Sequence, residues 1–234
     1  MTEKRVRKLR GHEIVLVPQS VSYLDPLMKV GEQVAGGKER ASLEKGRKAL
    51  GRYGLDKEVD QMYPFELSGG MARRVLIGTA VVEQPQLVIA DERHRDFTWK
   101  RLCVYCPIFG KSRIRESGVL LITHDLELAL KTADRIVVFY AGTAVEEAAT
   151  VDFNQEAALR HPYTRALFRA MPEHGFAPEP GIQPYVRDLP EGCPYGPRCP
   201  KHRTECSGKF HMSLIRGDGC DVSAQVMRVR FWKK

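Results

Sequence analysis

The stretch "PQLVIADE" at residues 85–92 constrains the fold of this 234-residue chain more than any other. A turn-forming Pro85 precedes four apolar residues, and two carboxylates, Asp91 and Glu92, follow at once. An apolar run of that length between polar boundaries predicts a strand buried on both faces, as in parallel sheets covered by helices. A second run, "GVLLITHD" at 118–125, repeats the plan and ends in His124 and Asp125.

Helical and strand signals alternate around these two runs. "HEIVLVPQS" holds a short β-rich run at 14–17, stopped by Pro18. Residues 41–53 favour a helix that Gly54 can cap, and Ser68 is a fitting N-cap for a helix reaching Val82. A helix is expected over 126–133, a pair of strands joined at Ala141 and Gly142 over "RIVVFYAGTAVEEA", and a helix begun by Pro162 in "HPYTRALFRAMP". From 172 to 200 the chain is rich in proline and glycine and predicts an extended strap leading to a cysteine-bearing tail. We therefore expect an α/β domain over 1–171 and a C-terminal extension over 172–234. Open α/β sheets take ligands beyond the carboxyl ends of their strands, where Asp91, Glu92 and His124 fall.

Paired acids at a strand end can divide labour, with Asp91 holding Mg²⁺ and Glu92 orienting the water that attacks a γ-phosphate. Strands ending in solvated acids are common, however, and this pair alone decides nothing. "LSGGM" at 67–71 is sharper. Ser68, Gly69 and Gly70 open a helix, so bare backbone N–H groups and the helix dipole can face a phosphate; the plainer reading is a glycine loop with a serine cap. His124 and Gln19 are silent in isolation, since a lone surface His or Gln needs no function.

Order and spacing give these pieces meaning. Gln19, then LSGGM, then a strand ending in Asp-Glu about twenty residues later, then a strand ending in His-Asp, resembles the nucleotide-binding subunit of ABC transporters. "HPYTRAL" and "GCPYGPRCPKHRTEC" narrow the resemblance to the importer branch for oligopeptides, dipeptides and nickel. The resemblance implies a P-loop NTPase-like ABC fold working as a head-to-tail dimer on membrane permease subunits. It also implies roles: Gln19 contacts the metal or water and senses the membrane subunit, while Ser68, Gly69 and Gly70 press on the γ-phosphate of ATP held by a second subunit. Asp91 serves Mg²⁺, Glu92 the attacking water, and His124 the γ-phosphate after closure.

Cys193, Cys199, Cys206 and Cys220 follow a C-x5-C-x6-C-x13-C spacing among prolines. Soft thiolates gathered from loops suit an iron-sulfur cluster, with zinc as the rival and unligated thiols as the simplest alternative. The resemblance implies a 4Fe-4S site. Cys103 and Cys106 form a lone C-x-x-C with no second pair or nearby His to support it.

The chain departs from the family in two places. No P-loop meets the pattern: "GEQVAGGKE" at 31–39 is one residue too long and has Glu after Gly-Lys, and "FGKS" at 109–112 has Tyr105 where the first glycine belongs. The N-terminal P-loop region is therefore expected to be lacking, which would leave a sheet edge or face uncovered. After Asp-Glu, "RHRDFTWKRLCVYCPIF" supplies no D-loop, yet family character returns at "ESGVLLITHD" after almost the usual number of residues. Shifting the frame by one base across residues 96–100 permits a Gly-Leu-His-type D-loop, and the same shift near 217–222 permits a family-like ending. Residues 93–115 and 207–234 thus read as out of frame.

Charge agrees with that reading. The chain carries a net +8, but residues 93–115 hold +6 and residues 207–234 hold +4, so the remainder is slightly acidic. A nucleic-acid partner has little support outside two anomalous segments. No apolar run approaches the ~20 residues that cross a bilayer, so the expected location is cytoplasmic, peripheral at the inner membrane face. The leading expectation is an ATP-binding and hydrolysing subunit energising an importer of peptides or nickel. The alternatives are an incomplete subunit that only lends its LSGG segment to a partner's ATP, or a non-functional gene remnant.

Overall fold

The computed structural model describes residues 2–18, 20–91 and 118–208. By internal contacts the chain divides into two units, Met1–Thr132 and Ala133–Lys234. The boundary expected after residue 171 falls inside the second.

In the first unit, α1 (Glu3–Leu9) precedes β1 (Ile14–Val17), and α2 (Val30–Ala35) and α3 (Arg40–Arg52) follow. Then come α4 (Gly69–Val81), β2 (Leu87–Asp91), β3 (Gly118–Ile122) and α5 (Leu126–Thr132). The three strands form a parallel sheet in the order β1-β2-β3, with Val17 opposite Ala90 and Ala90 opposite Leu121. One face is the core: Val15, Val17, Val88 and Ala90 pack with Tyr53, Ile77, Val81 and Leu128. The other face is not covered to the same degree. Leu16 and Leu120, in register through Ile89, are 58% and 51% exposed, and Ile122 is 50% exposed. The expectation of strands buried on both faces is thereby corrected. Burial alternates along β2 and β3, since among the described residues one face of the sheet packs into the core cluster and the other does not.

A second cluster joins α2, α3 and α4 through Val30, Val34, Leu50, Val75 and Leu76. The helices approach closely at Gly46, where a Cβ would lie 3.1 Å from the Ala35 amide nitrogen. Arg47 of α3 ties the following loop to this layer: its guanidinium meets the Asp60 carboxylate at 2.5 Å and the Asp56 carbonyl at 2.8 Å, and also reaches the Leu55 carbonyl. The glycines of "GEQVAGGKE" are accounted for here. Residues 30–35 are helix α2, and Gly36, at φ +68°, is its left-handed C-cap.

In the second unit β4 (Arg135–Tyr140) and β5 (Thr143–Ala149) pair antiparallel. The turn between them holds Ala141 and Gly142 at φ +47° and +78°, the conformation a tight two-residue hairpin demands. Helix α6 (Pro162–Arg169) follows, and then the strap. The strap is anchored by rings. Tyr195, fully buried, meets Tyr140 edge-on at 5.2 Å and Tyr163 at 5.4 Å. Arg198 donates to the Tyr140 hydroxyl and to the Pro180 and Glu179 carbonyls.

Candidate functional site

Of the polar residues singled out in the sequence, Asp91 and His124 fall at the carboxyl ends of the parallel strands. β1 runs out at Val17 into Pro18 and Ser20, which flank Gln19; Asp91 closes β2 opposite Ile122; and exposed His124 lies two residues beyond β3. Asp91 is half-buried at that edge. Asp125 has a local task, its carboxylate accepting the Leu128 N–H at 3.0 Å in the first turn of α5. Gln19 and Glu92 lie outside the described residues, as do Cys103, Cys106, Cys220, the "FGKS" segment and almost all of both segments read as out of frame.

The α4 tip forms as its sequence directs. Ser68 is the N-cap, its hydroxyl accepting the Met71 N–H at 3.3 Å. The Gly69 and Gly70 N–H groups belong to the first helical positions, which have no acceptor within their own helix. A Cβ built at Gly69 would meet nothing within 4 Å. Packing among the described residues therefore does not require a glycine there.

In the second unit the structure brings Glu146 and His161, to which the sequence assigned no role, together with Cys193. Glu146 of β5 is buried, and its carboxylate accepts the Arg160 and His161 N–H groups at 2.8 and 2.9 Å. His161 caps α6, its Nδ1 accepting the Tyr163 N–H at 3.1 Å. The Nε2 of His161 stands 3.6 Å from the Cys193 sulfur, and burial lowers the imidazole pKa to about 4. The sequence signal was present in "HPY" and "CPYGPRC", but the contact joins residues 32 positions apart and no local pattern announces it.

The cysteine segment folds partly as expected. The Cys193 N–H donates to the Cys206 carbonyl at 3.0 Å. Burial pushes the Cys193 thiol up; the Tyr195 and Gly196 amides act against that, and the neighbouring thiols of Cys199 and Cys206 add to it. Among the described residues, however, no three His, Cys, Asp or Glu side chains are arranged to hold a metal ion. The described thiols do not by themselves fit a 4Fe-4S cluster or zinc, and no step is derived through either.

Known proteins match both halves. A family described as ABC transporter matches residues 1–94, and one described as Oligopeptide/dipeptide transporter, C-terminal region, matches residues 145–206. The chain is 34% identical over 236 aligned positions to the dipeptide transport ATP-binding protein DppD of Escherichia coli, covering 94% of this chain and 71% of that protein. It is 32% identical to the peptide transport system ATP-binding protein SapD of Salmonella typhimurium, covering 88% and 69%. Among solved structures, the dimeric structure of MJ0796, a bacterial ABC transporter cassette, superimposes with a TM-score of 0.55 over 64% of this chain and 68% of that one. Its 21% identity speaks to fold alone. A parallel sheet with Asp91 and His124 at its carboxyl edge, a glycine-tipped α4 and this degree of identity lead to one conclusion: the chain belongs to the ABC transporter ATP-binding subunits that carry the oligopeptide/dipeptide transporter C-terminal region.

Proposed function

We propose that the chain serves as an ATP-binding subunit energising an ABC importer of peptides, lying against the inner face of the membrane beside a second such subunit and the permease. The reading rests above all on the undecorated tip of α4, where, among the described residues, a Cβ at Gly69 would meet nothing within 4 Å. That tip suits a phosphate held by another molecule. Ser68 and the Gly69 and Gly70 amides would bear on the γ-phosphate of a facing subunit's ATP. Asp91 would hold Mg²⁺, which supplies charge neutralisation at the transferring phosphate. Glu92 would orient the attacking water, His124 would donate to the γ-phosphate, and Gln19 would report to the membrane subunit.

An apolar groove of about 350 Å³ where β1 runs out at Leu16 and Pro18 suits contact with the membrane subunit. It is lined by Leu16, Tyr23, Leu24, Met28 and Leu76, among others, with Tyr23 74% exposed. Gln33 stiffens its rim by donating to the Asp25 and Met28 carbonyls and accepting the Asp25 N–H. A helix of the permease presenting apolar side chains would fit it.

A second reading has its own observation. The nearest mimic of a phosphate loop, at 31–39, is a helix and its C-cap, so it offers no cradle for ATP. The chain would then lend its α4 tip to a partner's nucleotide without binding ATP tightly itself. Mixing the purified chain with an intact homologous subunit decides between them. Stimulated hydrolysis that is abolished by Gly69→Asp, together with no measurable ATP affinity of the chain alone, supports the lending role. Tight ATP binding by the isolated chain supports the full one, and no stimulation with no binding leaves the gene-remnant reading. Nickel would be recognised as cargo by transport assays with the cognate permease.

A further inference from the structure

His161 stands beside the described cysteines, its Nε2 3.6 Å from the Cys193 sulfur. Its two nitrogens face different groups. Nδ1 lies 3.1 Å from the Tyr163 nitrogen, whose only hydrogen-bonding capacity is to donate, so Nδ1 must be the bare acceptor. In a neutral imidazole the proton then sits on Nε2, which faces the Cys193 sulfur at 3.6 Å. The ring cannot swing away freely. Its own backbone N–H is gripped by the buried Glu146 carboxylate at 2.9 Å, and Tyr195 lies 5.8 Å away between centroids.

We propose that His161 is a tautomer-locked positioning residue: its Nε2–H donates to the Cys193 sulfur while its Nδ1 caps α6, so that the chemical state of that sulfur is transmitted to the first turn of the helix. His161 is therefore not a metal ligand. Ligation through Nε2 would displace the proton that the Tyr163 N–H prevents from moving to Nδ1. A sulfur able to accept keeps the ring and the cap in place; a sulfur removed or blocked releases one end of the ring, and the cap loosens.

Nitrogen-15 labelling of histidine in the full chain tests the tautomer directly, with the His161 signals identified by their loss in His161→Asn. The expected spectrum shows Nδ1 unprotonated and Nε2 protonated, with Cys193→Ala moving the Nε2 resonance. Amide exchange at Tyr163 supplies the coupling. Cys193→Ala is expected to speed it roughly three- to tenfold in the wild-type background, and to leave it unchanged where His161→Asn has replaced the ring by a side chain that still caps the helix but does not reach the sulfur. A proton found on Nδ1 overturns the proposal, as does exchange that Cys193→Ala leaves unaltered or alters equally in both backgrounds. Should His161→Asn fail to fold, the wild-type tautomer and the Cys193→Ala shift still decide it.

Discussion

His161 shows how much one side chain can do when its two nitrogens are given different tasks. Replacing it by Ala removes the acceptor for the Tyr163 N–H and should cost about 1 kcal/mol in chemical denaturation, whereas Asn should recover most of that loss. The ring also makes stability depend on pH. Its folded pKa of about 4 lies below the unfolded value of 6.5, so the folded protein binds fewer protons between those values. Its contribution is complete above pH 6.5, declines as the pH falls towards 4, and amounts to on the order of 3 kcal/mol. A denaturation series across that window should flatten in His161→Asn relative to the wild type; parallel curves would refute the assignment. Arg47 is the comparable residue of the first unit. Because it satisfies Asp60 and two backbone carbonyls in one half-buried place, Arg47→Met should cost about 2–3 kcal/mol in the same measurement.

At the scale of elements, α4 joins a buried body to an open tip. Its body is core, with Val75, Ile77 and Val81 buried, while its tip at Gly69 has space around the missing Cβ. Gly69→Asp should therefore leave the melting temperature within about a degree while removing any stimulation of a partner's hydrolysis. The contrast is Gly46, where the α2 backbone stands in the way: Gly46→Val should destabilise by about 1–3 kcal/mol. The groove between Leu16, Tyr23 and Met28 gives a third outcome of this kind. Tyr23→Glu changes an exposed side chain, so stability should hold while affinity for the permease falls at least tenfold in a pull-down titration. These elements were legible in the sequence because each carries local punctuation. Ser68 caps α4, Gly54 at φ +66° follows α3, Ala141 and Gly142 turn the hairpin, and Pro162 starts α6. The burial of β2 and β3 was not legible, because an apolar run states that a strand can be covered on both faces and not that it is.

At the scale of the molecule, the exposed apolar positions of β1 and β3 are the first property to test. Leu16 and Leu120 are already more than half exposed, so Leu16→Lys with Leu120→Lys should change stability by no more than about 0.5 kcal/mol. Self-association measured by sedimentation should fall, since a contiguous apolar surface is what the pair removes. The reading of residues 93–115 and 207–234 as out of frame is tested directly by the gene sequence. By itself the sequence determined the α/β class, the transporter resemblance and the order of its motifs, because helix caps, turn glycines and strand-terminal acids act within a few residues of themselves. Only tertiary structure decided that β1, β2 and β3 align their carboxyl ends, that Gly36 of "GEQVAGGKE" caps a helix, and that His161 meets Cys193. Those facts depend on which distant segments share a core, and burial, unlike capping, is settled by the neighbours a residue acquires and not by its place in the chain.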